Sequence, residues 1–82
     1  MRTDILKAMA DETRLGILAR LRKGEVCACK LPKLVGTTQP AVSQHLKVLS
    51  DSGLVQRRKE GTKRIYSLSP RGAKVLTAVS RW

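Results

Sequence analysis

Eighty-two residues suffice for one domain with a modest core. Seventeen basic against six acidic residues give a net charge of +11, which draws the chain to polyanions; membranes are set aside, because no apolar run approaches the roughly 18–20 residues of a spanning helix and no signal-peptide core stands near Met1. Only Tyr66 and Trp82 are aromatic, too few to stack single-stranded bases, so duplex DNA is the polyanion of choice.

No repeat, low-complexity tract or linker interrupts the sequence, and residues 1–82 are read as one domain. Ile5, Leu6 and Met9 suggest a short first helix. Asp11 can cap a second over 10–21, with Leu15, Leu18 and Leu21 as its buried stripe. Glu12 near its start and Arg20, Arg22 and Lys23 near its end complement the helix dipole, and Gly24 stops it. Leu31, Leu34 and Val35 then sit at i, i+3, i+4, the inward face of another short helix. Gly36 can take the left-handed conformation that ends it. Thr38 is the N-cap of a longer helix that tolerates Pro40 in its first turn. Val42, Leu46 and Leu49 form that helix's apolar stripe, and Gly53 closes it. Helix, tight turn and longer helix spell a helix-turn-helix. The pattern then changes. A period-two alternation that places Tyr66 and Leu68 on one face, around the turn at Glu60-Gly61, marks a β-hairpin with Arg57, Arg58, Lys59, Lys63 and Arg64 near its tip. Ser69-Pro70 opens a last helix with Val75, Val79 and Trp82 along one side and Leu76 beside them. The fold class is therefore mainly α with a small β-hairpin, a winged helix-turn-helix.

At about 100° per residue, Gln39, Ser43, Gln44 and Lys47 share the helix face opposite the apolar stripe. Amides, a hydroxyl and an ammonium suit the donor and acceptor edges of a major groove, and none of the four is acidic. On an isolated helix such a face would only be solvated; on the second helix of this motif it points to base contact. Thr37 and Thr38, at the helix N-terminus, suit a phosphate held with the free N–H groups there. His45 falls beside the apolar stripe and reads as a half-buried structural residue. Arg57, Lys59, Lys63 and Arg64 on the hairpin would meet phosphate or minor groove, supplying affinity and salt dependence in place of sequence choice. A single histidine, six scattered acids and no nucleophile–base spacing leave no catalytic set. Two rivals stay open: an architectural protein that coats DNA with little sequence preference, and a winged helix used for protein contacts.

The segments ADETRLGIL, GEVCAC, TTQPAVSQHLKVLSDSGLV and RRKEGTKRIYSLS, in this order, resemble those of the ArsR/SmtB family of metal-responsive winged-helix repressors, over roughly residues 4–69. The resemblance implies a prokaryotic, cytoplasmic regulator, associated with the nucleoid when bound. It also implies a homodimer joined through its first and last helices, which occupies a double-stranded operator and leaves it when an inducer binds. Cys27 and Cys29 stand where arsenic and heavy-metal sensors of that family carry a Cys-x-Cys pair. The resemblance thus implies a thiophilic metalloid or metal as inducer, with no cofactor required. Cys29, near the start of a helix expected around Lys30, is the thiol that the dipole would favour as thiolate. Pro32 occupies the place of a third cysteine found in some sensors. Residues 69–82 hold no His, Asp, Glu or Cys for the family's other metal site. Two thiols cannot close a four-ligand structural zinc site. Redox response through the same pair, and a plain structural role for both cysteines, remain as alternatives. No structural disulfide is expected between them, because the loop is tiny and the compartment reducing.

Overall fold

A computed structural model describes residues 11–80, with side chains as far as Ala78. The elements run α1 (Glu12–Arg22), β1 (Val26–Cys27), a 3-10 turn (Ala28–Lys30), α2 (Leu31–Val35), α3 (Gln39–Asp51), β2 (Val55–Glu60), β3 (Lys63–Leu68) and α4 (Pro70–Ser80). The first helix expected around Ile5, Leu6 and Met9 lies outside the described residues, as do Trp82 and the Val79 side chain.

Capping sets the helix starts. The Asp11 carboxylate accepts from the backbone N–H groups of Thr13 (2.8 Å) and Arg14 (3.1 Å), satisfying two donors that the first turn leaves without partners. The Arg14 N–H, first among the causes, holds its pKa below the ordinary value. Gly36 ends α2 at φ 71°, and both its own N–H and that of Thr37 donate to the Pro32 carbonyl. Thr38 then caps α3 in an extended conformation, its hydroxyl accepting from the Ala41 N–H at 3.3 Å. Ser69 joins two elements: its hydroxyl accepts from the Gly72 N–H at 2.9 Å and donates to the Gly53 carbonyl at 2.6 Å. The start of α4 is thereby fixed to the end of α3.

The core gathers Ile17, Leu18 and Leu21 from α1, Leu31 from α2, Val42, Leu46 and Leu49 from α3, and Val26, Leu54, Val55 and Tyr66 from the sheet region. The expected α3 stripe is buried as read. Two leucines are corrected. Leu15 is 38% exposed, and Ile17 takes its place; Leu15 lies about 60° from Leu18, on the side away from Ile17 and Leu21. Leu34 is 53% exposed, because Leu31 and Val35 provide the single edge by which this short helix packs. On α4, Val75 and Leu76 pack partly buried against the protomer's own core.

The hairpin is present, with β2 and β3 paired in antiparallel register from Val55↔Leu68 to Glu60↔Lys63 around Gly61-Thr62. A third strand completes the sheet in the order β1-β3-β2, with Val26↔Tyr66 and Cys27↔Ile65 as partners. Directly paired residues share a face. Val55, Arg57 and Lys59 therefore lie on one side with Arg64, Tyr66 and Leu68. Arg58 and Glu60 lie on the other with Lys63, Ile65 and Cys27.

Candidate nucleic-acid interface

The polar arc of α3 and the basic hairpin face each other across a groove of about 810 Å³. Gln39, Ser43 and Lys47 line one wall, Arg57, Lys63 and Arg64 another, and Cys27, Ala28 and Cys29 stand between them. The α3 residues are there because the stripe Val42, Leu46 and Leu49 anchors the opposite face of their helix. The hairpin residues are there because Tyr66, buried and shared with the core, ties β3 to the same groove. A polar lining with four cationic side chains, Lys47, Arg57, Lys63 and Arg64, suits the edge of a nucleic-acid duplex.

The remaining sequence-derived residues are placed around this groove. Gln44 is exposed on α3 but does not line it, and Lys59 is exposed farther along the hairpin. Thr37 is half-buried with its N–H already donated to Pro32, so it cannot offer that group to a phosphate. Thr38 is exposed with its hydroxyl engaged in the cap. His45 is half-buried as expected, its Nδ1 accepting from Arg14 Nε at 3.1 Å, which links α1 to α3.

Sequence reasoning passed over several residues of the groove. Ser50 and Asp51 line its far end and Thr62 sits at the hairpin turn. The i, i+4, i+7 phase of Ser43, Lys47 and Ser50 carries the signal for the first of these. Arg58 differs from its basic neighbours: it bridges to Glu25 at 2.6 Å and to Glu60 on the sheet face away from Arg57. Both contacts raise the Arg58 pKa, the Glu60 hydrogen bond foremost, and Arg58 in turn lowers that of Glu60.

Cys27 Sγ and Cys29 Sγ are both free thiols and lie 2.7 Å apart, within hydrogen-bonding distance. Cys27 is buried at the end of β1, and Cys29 is exposed in the 3-10 turn. The Cys29 thiol, then the Cys29 backbone N–H, then Lys63 and Lys30 hold the Cys27 pKa below the ordinary thiol value. The same hydrogen bond pushes Cys29 up. This reverses the expectation that Cys29 carries the thiolate. The order follows first from the contact between the two sulfurs and then from the Cys29 backbone N–H donated to Cys27. Among the described residues no three or more His, Cys, Asp or Glu side chains gather as a metal cluster, and no helix is long and apolar enough to cross a membrane.

A three-stranded sheet whose hairpin flanks the second helix of a helix-turn-helix defines a winged-helix protein. Residues 11–57 match the family described as bacterial regulatory protein, arsR family. The chain is 46% identical over 67 residues to the arsenical resistance operon repressor of Escherichia coli K12, covering 80% of this chain and 57% of that protein. Among solved structures, HlyU from Vibrio cholerae superposes with a TM-score of 0.86 at 38% identity, covering 96% of this chain and 87% of the other. The homodimeric winged helix-turn-helix DNA-binding domain Mb0332 from Mycobacterium bovis superposes with a TM-score of 0.89 at 30% identity, covering 95% and 73%. The chain belongs to the ArsR family of regulatory proteins. It spans about six-tenths of the length of the arsenical resistance repressors that it matches.

Proposed function

We propose that this protein is a sequence-specific transcriptional regulator that binds double-stranded DNA and acts as a repressor. The observation that carries the reading is the shared groove, in which Gln39, Ser43 and Lys47 of α3 face Arg57, Lys63 and Arg64 of the hairpin. Bases would be met by the α3 face, with Gln44 beside the groove, and phosphates by the hydroxyl groups of Thr37 and Thr38, Lys59 and the other hairpin cations. Family membership supports a non-enzymatic regulator acting in the cytoplasm. The homodimeric state of the Mycobacterium bovis domain supports a dimer here. The test is selection from a random duplex pool, followed by titration of the selected and scrambled duplexes at matched salt. A selected site that binds at least roughly a thousandfold more tightly supports the reading; a ratio near unity returns the architectural alternative.

The proposed inducer is a thiophilic metalloid or metal. Two adjacent free thiols, one of them inclined to ionise, supply two soft ligands for one ion once the sulfurs part from their mutual contact. A further ligand has to be a water, an exogenous thiol or a group outside the described residues. The names of the relatives, arsenical resistance operon repressors, make arsenite the first ion to try. Ion binding needs thiolate, so it should persist below the pH at which an ordinary thiol protonates and weaken as pH falls through the lowered Cys27 value. An ion affinity that is flat across that range, or retained by Cys27→Ser/Cys29→Ser, would contradict this assignment. The ion should weaken DNA binding by about 5–150-fold, the usual span of such coupling.

A further inference from the structure

The two thiols do not stand at a remote site. They form part of the lining of the groove that holds Gln39, Ser43, Lys47, Lys63 and Arg64. They also border a second cavity of about 690 Å³ on the other side, floored by Val26, Leu34 and Ile65 and rimmed by Arg20 and Lys33. Cys29 is the exposed member of the pair and borders both cavities, so a group attached to its sulfur has access to the groove. Lys63 borders both cavities.

Resting on the DNA-binding reading above, we propose that Cys29 is a site of S-thiolation by low-molecular-weight disulfides, whose adduct and the DNA duplex exclude each other from one groove by volume. Cys29 carries the sulfur that a disulfide can reach, Cys27 being buried. The fraction of Cys29 present as thiolate attacks one sulfur of the disulfide, a new S–S bond forms, and the other half leaves as thiolate with the electron pair of the broken bond. The thiol proton passes to solvent. No hinge or helix movement is required, because the sulfur already lines the space between α3 and the hairpin. Loss of DNA should therefore scale with the size of the adduct, and DNA should shield the thiol in return.

The test uses Cys27→Ser, which leaves one thiol, with its own affinity for the selected duplex as reference. Methyl and benzyl methanethiosulfonate each transfer an S-alkyl group to Cys29 and release methanesulfinate, giving a small and a bulky neutral adduct. The methyl adduct should leave affinity within about threefold of the reference, and the benzyl adduct should lower it by at least roughly tenfold, inside the range of ordinary coupling. In the unmodified native chain, the rate at which N-ethylmaleimide alkylates Cys29, followed by peptide mass, should fall about tenfold with free duplex at ten times Kd, because only the unbound fraction reacts. Equal losses from both adducts, a benzyl adduct that binds DNA as well as the reference, or an alkylation rate that ignores duplex would each overturn the exclusion. Failure of the unmodified native chain to prefer any duplex would remove the DNA-binding reading itself, and this proposal with it.

Discussion

Gly72 marks the tightest approach in the fold. A Cβ built on it would stand 1.9 Å from the Leu54 carbonyl oxygen, a backbone atom that cannot rotate away. Ser69 holds the same junction through the Gly72 N–H and the Gly53 carbonyl. Gly72→Ala should therefore push the start of α4 off the end of α3 and destabilise the protein by about 1–3 kcal/mol or more. Denaturant unfolding of the variant would show it, and an unchanged midpoint would mean that α4 shifts without resistance. The α3 amides make a different demand. Gln39→Ala and Gln44→Ala should each cost about 1–3 kcal/mol on the selected duplex and little on random DNA, since a glutamine reads adenine through two hydrogen bonds. Equal losses on both duplexes would assign that glutamine to the backbone. Both residues are exposed and neither is needed by the core, so folding should be unaffected.

The hairpin divides its cations by the register of its strands. Arg57, Lys59 and Arg64 share the face that runs on from Val55, Tyr66 and Leu68, while Arg58 turns to Glu25 and Glu60 on the other. Lys63, next to the turn, shares that second face yet still lines the groove. Lys63→Ala/Arg64→Ala should lower the slope of log affinity against log salt by about 0.9 per lost phosphate contact. Arg58→Ala should leave that slope as it is, because its charge is already paired within the protein. A slope that falls for Arg58 and not for Lys63 and Arg64 would reverse the assignment. This division illustrates what the sequence could and could not convey. The α3 stripe, the left-handed Gly36, the Ser69 cap and the hairpin turn were legible, because each is a local signal of spacing or backbone conformation. The partner of Arg58 was not, because Glu25 lies 33 positions away and meets it only across the sheet. Nor was β1: two residues give no alternation, and Val26 and Cys27 become a strand only by pairing with Tyr66 and Ile65. The thiol order failed for the same reason. It depends on the contact between the two sulfurs, which spacing in the sequence does not fix.

For the molecule as a whole, the proposed function raises the question of how a single α3 would select a site. A net charge of +11 gives strong attraction to any duplex, and that attraction alone carries no sequence information. One α3 helix presents five groove-lining polar side chains, Gln39, Ser43, Lys47, Ser50 and Asp51, with Gln44 beside them, enough for a few base pairs at about 1–3 kcal/mol each. Such a reading head distinguishes few sites when it acts alone. Two copies related by a twofold axis double the number of bases read and add the requirement of spacing, which is why symmetric dimers bind paired half-sites about 34–36 Å apart. Here Val75 and Leu76 already pack against their own core. The proposed dimer therefore needs apolar surface other than these two side chains. The selected duplex should accordingly be an inverted repeat with centres one helical turn apart, bound by two protomers in sedimentation equilibrium. Inserting about five base pairs between the half-sites turns one of them to the opposite side of the helix and should lower affinity toward that of a single half-site. Restoring a full turn with about ten inserted pairs should not rescue it, because a rigid seam cannot stretch by another 34 Å or so. Equal affinity for the original and both spaced duplexes would show that each protomer binds by itself.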